Sequence, residues 1–351
     1  MKAPVRSQDD KSTMKRTTVV HESKKLSRVL EVSLQDKKLQ TPTYFPAISS
    51  YGIKFSVLEQ FYFLEQYNYH RVLVSAYDLN NLSESERKKM FSWMKRYRKK
   101  GVLFLDSGLF ESSWKVDTKW NIGSYKNLMS QAKFDIYTCF DVLPAETGKE
   151  DKTKFKEKTF GNIVESSMFI NNAVFFPILH GSSPGELIGL VKDFVDQFPQ
   201  LCNFVALPER DCGKSVLERA ETILEIRKVL NNNDCRNLLH ILGCGNPLSM
   251  LLFSYCGADS FDSLDWVKSV FNPTTLSMND FSHLELLDCA CPVCTEALYK
   301  DAEYSEKALL HNLLFYKNFA TQLQSMILND NLFSYLKIHL GSKIVDQVDK
   351  F

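Results

Sequence analysis

The sequence predicts an α/β fold, a (β/α)8 TIM barrel, on three observations. Eight short apolar runs follow one another within about 220 residues, amphipathic stretches near a 3.6-residue period separate them, and acidic residues collect just after several of the runs. A doubly wound open sheet is the competing arrangement, but eight runs in so short a span favour closure.

The runs are 43–48, 71–76, 102–106, 136–140, 174–180, 204–207, 238–243 and 258–263. Between them, 55–66, 84–98, 124–133, 159–171, 186–197, 216–230 and 247–255 have helical spacing. Ahead of the barrel, 28–34 and 39–45 read as two strands joined by a polar turn. Residues 1–26 carry seven Lys and Arg against three acidic residues, with Ser and Thr between, and are expected to be a basic flexible tail. Residues 27–351 are then one barrel domain. The rhythm stops at 279–288, a cysteine cluster follows, and 302–328 and 331–348 read as closing helices, with 286–325 as a zinc-binding subdomain.

Composition narrows the function classes. The chain has 351 residues, 43 Lys and Arg against 42 Asp and Glu, and 44% hydrophobic residues, as in soluble globular proteins. No apolar run is long enough for a membrane span, and the polar first 25 residues lack the apolar stretch of a secretory signal, so a cytoplasmic protein is expected. With a net charge of +1, any polyanion must be met by a local patch. Nine cysteines, an odd number in a long chain without a signal, speak against a disulfide framework.

The candidate chemistry lies where barrel enzymes carry it, after the strands. The third run ends in Asp106-Ser107-Gly108-Leu-Phe110, the fourth in Phe-Asp141, the fifth in His180-Gly181 and the eighth in Asp262-Ser263. Two carboxylates aimed at one centre can divide glycosidic work, one as nucleophile and the other as acid and base. For any single aspartate, the alternative is that it caps the following helix.

Cys289-Ala-Cys291-Pro-Val-Cys294, with His311 downstream, supplies three thiolates and an imidazole. Such a set fills a tetrahedral Zn²⁺ site completely, leaving no position for water, so one structural zinc per chain is expected. His283, six residues before the cluster, is the competing fourth ligand. The cysteines at 139, 202, 212, 235, 244 and 256 read as packing residues. The basic stretch 87–100, with Phe91, Trp93 and Tyr97 at helical spacing, reads as an amphipathic helix with a solvated charged face; a phosphate-contacting patch is the alternative.

Together the rim motifs and the cysteine cluster resemble the guanine transglycosylases, zinc-containing (β/α)8 enzymes that exchange a guanine in nucleic acid for a 7-deazaguanine base. Thr41-Pro-Thr-Tyr-Phe-Pro46 is similar to the family's first strand, and Asp106-Ser-Gly-Leu-Phe-Glu111 to its Asp-Ser-Gly-Gly/Ser-Phe/Tyr-Gln motif. Leu242-Gly-Cys-Gly-Asn-Pro247 resembles its Gly-x-Gly-x-Pro helix start, leading to Phe261-Asp262. The resemblance runs from about residue 28 to 325, every motif in order. It implies Asp262 as the nucleophile of a covalent glycosyl intermediate and Asp106 as general acid and base. It further implies a base pocket of Ser107, Gly108, Phe110, Asp141, His180, Gly181, Ala206 and Leu207.

Leu109, Glu111 and His180 depart from the pattern, standing where a small residue, Gln and Gln are usual. The segment between Asp262 and Cys289 is similar to the archaeosine-type branch, but the chain ends without room for that branch's C-terminal RNA-binding domains. The resemblance therefore points towards the DNA-guanine transglycosylases of 7-deazapurine DNA modification, with a preformed base such as 7-cyano-7-deazaguanine. The alternatives are a tRNA enzyme of queuosine or archaeosine type and a catalytically silent partner subunit. A plain glycosidase satisfies the carboxylate logic but does not need the zinc cluster. Helper proteins or a homodimer are the further partners left open; a membrane is not one.

Overall fold

The computed structural model describes residues 17–23, 26–144, 151–170, 173–232 and 238–350. Eight parallel strands, Thr43–Ile48, Arg71–Ser75, Val102–Asp106, Ile136–Thr138, Val174–Phe176, Val205–Pro208, Leu239–Leu242 and Ser260–Ser263, pair in chain order. The eighth lies against the first, with Asp262 opposite Phe45. A parallel bridge from Ile178 to Ala206 joins fifth to sixth, and the sheet closes into a barrel. This excludes the open sheet.

The strands are apolar on both faces because one face fills the barrel and the other meets the helices. Inside, the rings of Phe45, Phe104 and Phe176 meet edge to face or tilted. Outside, the helices Val57–Gln66 and Glu84–Tyr97 begin at Ser56 and Ser83, each in a reciprocal capping box with the glutamate three residues on. The helix Glu84–Tyr97 buries Met90, Met94 and Tyr97 and turns its cations outward, which is the amphipathic reading of the basic stretch.

Part of the expected flexible tail is ordered. Thr17–Glu22, rich in β-branched residues, forms a strand antiparallel to Arg28–Leu34, which pairs in turn with Lys37–Gln40. Residues 1–16 lie outside the described residues. This sheet is fixed by Arg28, whose guanidinium donates twice to the Asp259 carboxylate, at 2.9 and 2.8 Å. Arg227 donates to the same carboxylate at 2.7 Å, and all three side chains are buried. Asp259 directly precedes the eighth strand, so the cluster lies at the strands' entry end, opposite the rim that carries Asp262.

Other boundaries moved for local reasons. The helix expected at 159–171 begins at Lys152, capped by Asp151, because its first turns are lysine-rich and hide the period. The segment read as one helix from 331 is two, Leu332–Leu340 and Ser342–Val348, broken at Gly341 with φ +81°. An antiparallel ribbon, Ser269–Phe271 with Met278–Asp280, was not foreseen; it leads from the barrel to the cysteine cluster. Cys139, Cys212, Cys244 and Cys256 are buried free thiols, but Cys202, expected as a packing thiol, is disulfide-bonded. Cys235 lies outside the described residues. No helix among the described residues is long and apolar enough to cross a membrane.

Candidate active site

The third strand ends at Asp106, and the chain turns sharply at Gly108, where φ is +74°. A Cβ there would lie 2.5 Å from the Tyr77 backbone nitrogen and Cβ, so only glycine fits. The turn launches a short helix, Leu109–Trp114, that carries Phe110 and Glu111 to the mouth of the barrel. The Gly108 N–H donates to Asp106 Oδ2 at 2.9 Å.

A cavity of about 360 Å³ opens at this end and receives Asp106, Phe110, Glu111, Asp141, His180 and Asp262. That volume suits a small planar ligand. Burial, reinforced by the charges of Asp141 and Glu111, holds the Asp106 carboxyl well above the usual carboxylate range, which favours its acid form. Across the cavity, Asp262 Oδ1 accepts from His240 Nε2 at 3.0 Å and from the Gly243 N–H at 3.2 Å.

His180 is held between two carboxylates, Nε2 at 2.9 Å from Asp141 and Nδ1 at 2.7 Å from Asp211. Burial alone would push the ring down, but hydrogen bonds to Asp141 and Asp211 and their charges outweigh it, and the pKa rises to about 9. The side chain is therefore an imidazolium at neutral pH, donating from both nitrogens. Ser107 Oγ donates to the other oxygen of Asp141 at 2.5 Å, so that carboxylate is fixed on both sides. Glu111 is buried with its carboxyl pushed up to about 7 by burial and by Asp78; Ser49 Oγ donates to Oε1 at 2.6 Å, while Oε2 has no partner among the described residues.

Of the residues expected in the base pocket, Phe110, Asp141 and His180 line the cavity and Ser107 supports it. Gly108 forms the turn behind Asp106. Gly181 packs against Leu187, where a Cβ would come within 2.7 Å, and faces a neighbouring groove instead. Ala206 and Leu207 are buried in the barrel wall, and Pro208, Glu209 and Arg210 just beyond them reach the cavity. Asp211 and His240 went unrecognised in the sequence. Asp211 is one of several charges in Glu209-Arg-Asp211, and His240 looked like one polar residue in an apolar strand.

The sulfurs of Cys289, Cys291 and Cys294 lie 3.7, 3.5 and 3.4 Å from His311 Nδ1. A tetrahedral zinc with Zn–S of about 2.3 Å and Zn–N of about 2.0 Å requires S to N separations of about 3.5 Å. The four donors fit such an ion, and their atoms all fall within 4.8 Å of one another. His311 Nε2 lies 2.7 Å from the Phe271 carbonyl, which accepts its proton and leaves Nδ1 free to ligate. His283 takes no part in the cluster.

A family model described as queuine tRNA-ribosyltransferase matches residues 23–342, most of the chain and all of the rim. The chain belongs to the queuine tRNA-ribosyltransferase family. Among its relatives, the tRNA-guanine(15) transglycosylase of Sulfolobus acidocaldarius is 23% identical over 316 residues, covering 86% of this chain and 61% of that protein. The enzyme of the same name from Methanocaldococcus jannaschii is 23% identical over 310 residues, covering 82% and 45%. That from Haloferax volcanii is 35% identical over 72 residues, covering 20% and 14%. The chain thus spans about half to three fifths of the length of the first two of these relatives. These relatives carry tRNA names, and the expectation of a DNA substrate, which rested on chain length and on the departures at Leu109, Glu111 and His180, finds no support among them.

Proposed function

We propose that this chain is a tRNA-guanine transglycosylase, acting on a guanine in tRNA through a covalent glycosyl-aspartate. The observation that carries the reading is the meeting of Asp262 and Asp106, whose carboxyl is pushed up by its surroundings, in one base-sized cavity at the barrel rim. The Asp262 carboxylate attacks C1′ of the target nucleoside and the bond from C1′ to the base breaks. The electron pair leaves with guanine, which takes the Asp106 proton. An incoming base, proposed as a 7-deazaguanine, gives a ring N–H proton to Asp106 and attacks C1′, breaking the ester and restoring Asp262. Asp141, held by Ser107 and His180, has lone pairs left for the base's N–H groups. Phe110, at 37% exposure and with Arg210 4.9 Å from its ring, supplies a stacking face.

The polymer assignment rests on the tRNA names of the family and its relatives. Residues 27–351 are proposed as one catalytic domain, with 286–325 built on a single structural zinc that takes no part in the chemistry and stiffens the segment behind the eighth strand. The proposed place of action is the cytoplasm. The presence of both aspartates in the cavity favours an active enzyme over a silent subunit. Incubation with unmodified tRNA transcripts followed by denaturing electrophoresis should trap a protein-RNA adduct that Asp262→Ala abolishes. An adduct with guanine-containing DNA and none with tRNA would overturn the polymer assignment, and none with either would overturn the reaction.

A further inference from the structure

We propose that His240 is the positioning residue for the nucleophile and that it selects Oδ2 of Asp262 as the attacking oxygen; the inference rests on the transglycosylase reading above. His240 is wholly buried inside the barrel, its ring 6.2, 5.2 and 5.7 Å from the centroids of Phe45, Phe104 and Phe176. Apolar rings on these sides offer it no hydrogen bond. Its two polar contacts are Ser260 Oγ at 2.8 Å from Nδ1 and Asp262 Oδ1 at 3.0 Å from Nε2.

The proton positions follow from the partners. A carboxylate that is to act as nucleophile only accepts, so Nε2 carries a proton towards Asp262, while the Ser260 hydroxyl, which can donate or accept, holds Nδ1. Ser260 and Asp262 are two residues apart on one strand, so both side chains point to the same side of the sheet, where His240 from the neighbouring strand spans them. The ring cannot turn without losing both bonds.

The consequence falls on the two carboxylate oxygens unequally. Oδ1 takes the His240 and Gly243 donors, whereas Oδ2 has no hydrogen bond among the described residues while Asp262 faces the cavity. Oδ2 therefore keeps its lone pairs for C1′. As the new C1′–Oδ2 bond forms and the C1′–base bond breaks, the carboxylate becomes an ester whose carbonyl oxygen is Oδ1. When the incoming base breaks that ester, negative charge returns to the carboxylate, and the two donors on Oδ1 stabilise the leaving group.

The test compares His240→Phe, His240→Gln and Ser260→Ala with the wild type, using labelled guanine exchange into unmodified tRNA transcript and the rate of adduct trapping. Phe keeps the ring's shape among its aromatic neighbours and removes the donor, while the Gln amide can reach about as far as Nε2. H240F should lower kcat by about 10²-fold, with KM for tRNA within about threefold and adduct formation slowed to match. H240Q should recover to within about tenfold of wild type, and S260A, which frees the ring, should lose about tenfold. An H240F protein that forms adduct within threefold of the wild-type rate overturns the proposal, as does H240Q no better than H240F. If H240F does not fold, an unchanged rate in S260A overturns it. Wild-type protein that forms no adduct overturns the transglycosylase reading itself.

Discussion

Replacing His180 by Gln removes a buried imidazolium that joins Asp141 to Asp211, and the cost should depend on pH in a defined way. The ring's pKa is about 9 in the fold against an ordinary 6.5. A raised folded value means that the stabilisation is fully present below pH 6.5 and is lost as pH rises through about 9. At about 1.4 kcal/mol for each tenfold change in proton affinity, the gap corresponds to on the order of 3 kcal/mol. The assay is urea unfolding of wild type and H180Q at half-unit steps from pH 6 to 10. The wild-type free energy of unfolding should fall relative to that of H180Q by about 3 kcal/mol across this range, most steeply between pH 7 and 9. Taking the difference cancels buried thiols and phenols that titrate in both proteins. Parallel curves would refute the reasoning, because they would mean that His180 is neutral, or equally protonated in both states.

Glu111 should act in the same direction over a lower pH range. Its raised pKa of about 7 makes its ionisation a cost of folding that grows from the ordinary 4.5 up to 7, so wild type should lose stability across that interval and Glu111→Gln should not, by the same unfolding assay. Gly108→Ala meets both a positive φ and the Tyr77 backbone, so unfolding should show a loss of more than about 1 kcal/mol, with adduct formation reduced as Asp106 loses its N–H partner. Metal analysis should find about one zinc per chain, and Cys294→Ala should lose the metal and lower the thermal midpoint; a metal-free wild type with an unchanged midpoint would contradict the Cys/His assignment.

The barrel was legible because its strands are uninterrupted apolar runs and its helices keep their period, as at 247–255, where the observed helix is Pro247–Tyr255. Acidic residues after strands placed Asp106, Asp141 and Asp262 on one rim for the same reason, since strand ends and rim coincide in this topology. What stayed hidden depends on contacts across the fold. Asp211 acquires its role through a histidine 31 residues away, and His240 through an aspartate 22 residues on; no spacing rule connects either pair. Ala206 and Leu207 were expected to offer backbone groups to the pocket; their side chains are buried in the wall beside the bridge that closes the barrel, and the side chains that reach the cavity belong to the residues that follow.

That closing bridge also distributes rigidity. Second and third strands are registered over five residue pairs, Arg71 with Val102 to Ser75 with Asp106, whereas fifth and sixth meet only from Ile178 to Ala206. A closed barrel has no edge to fray, so loosening starts at its thinnest seam. His180 belongs to the chain on one side of this seam and Asp211 to the chain on the other, whereas Asp106 and Asp262 stand on strands laddered to both neighbours. The proposed exchange requires one flat ring to leave and another to enter while the sugar stays bonded to the protein. The Asp141-His180-Asp211 chain spans this join beside the cavity and ties its two edges together where the strand pairing is shortest.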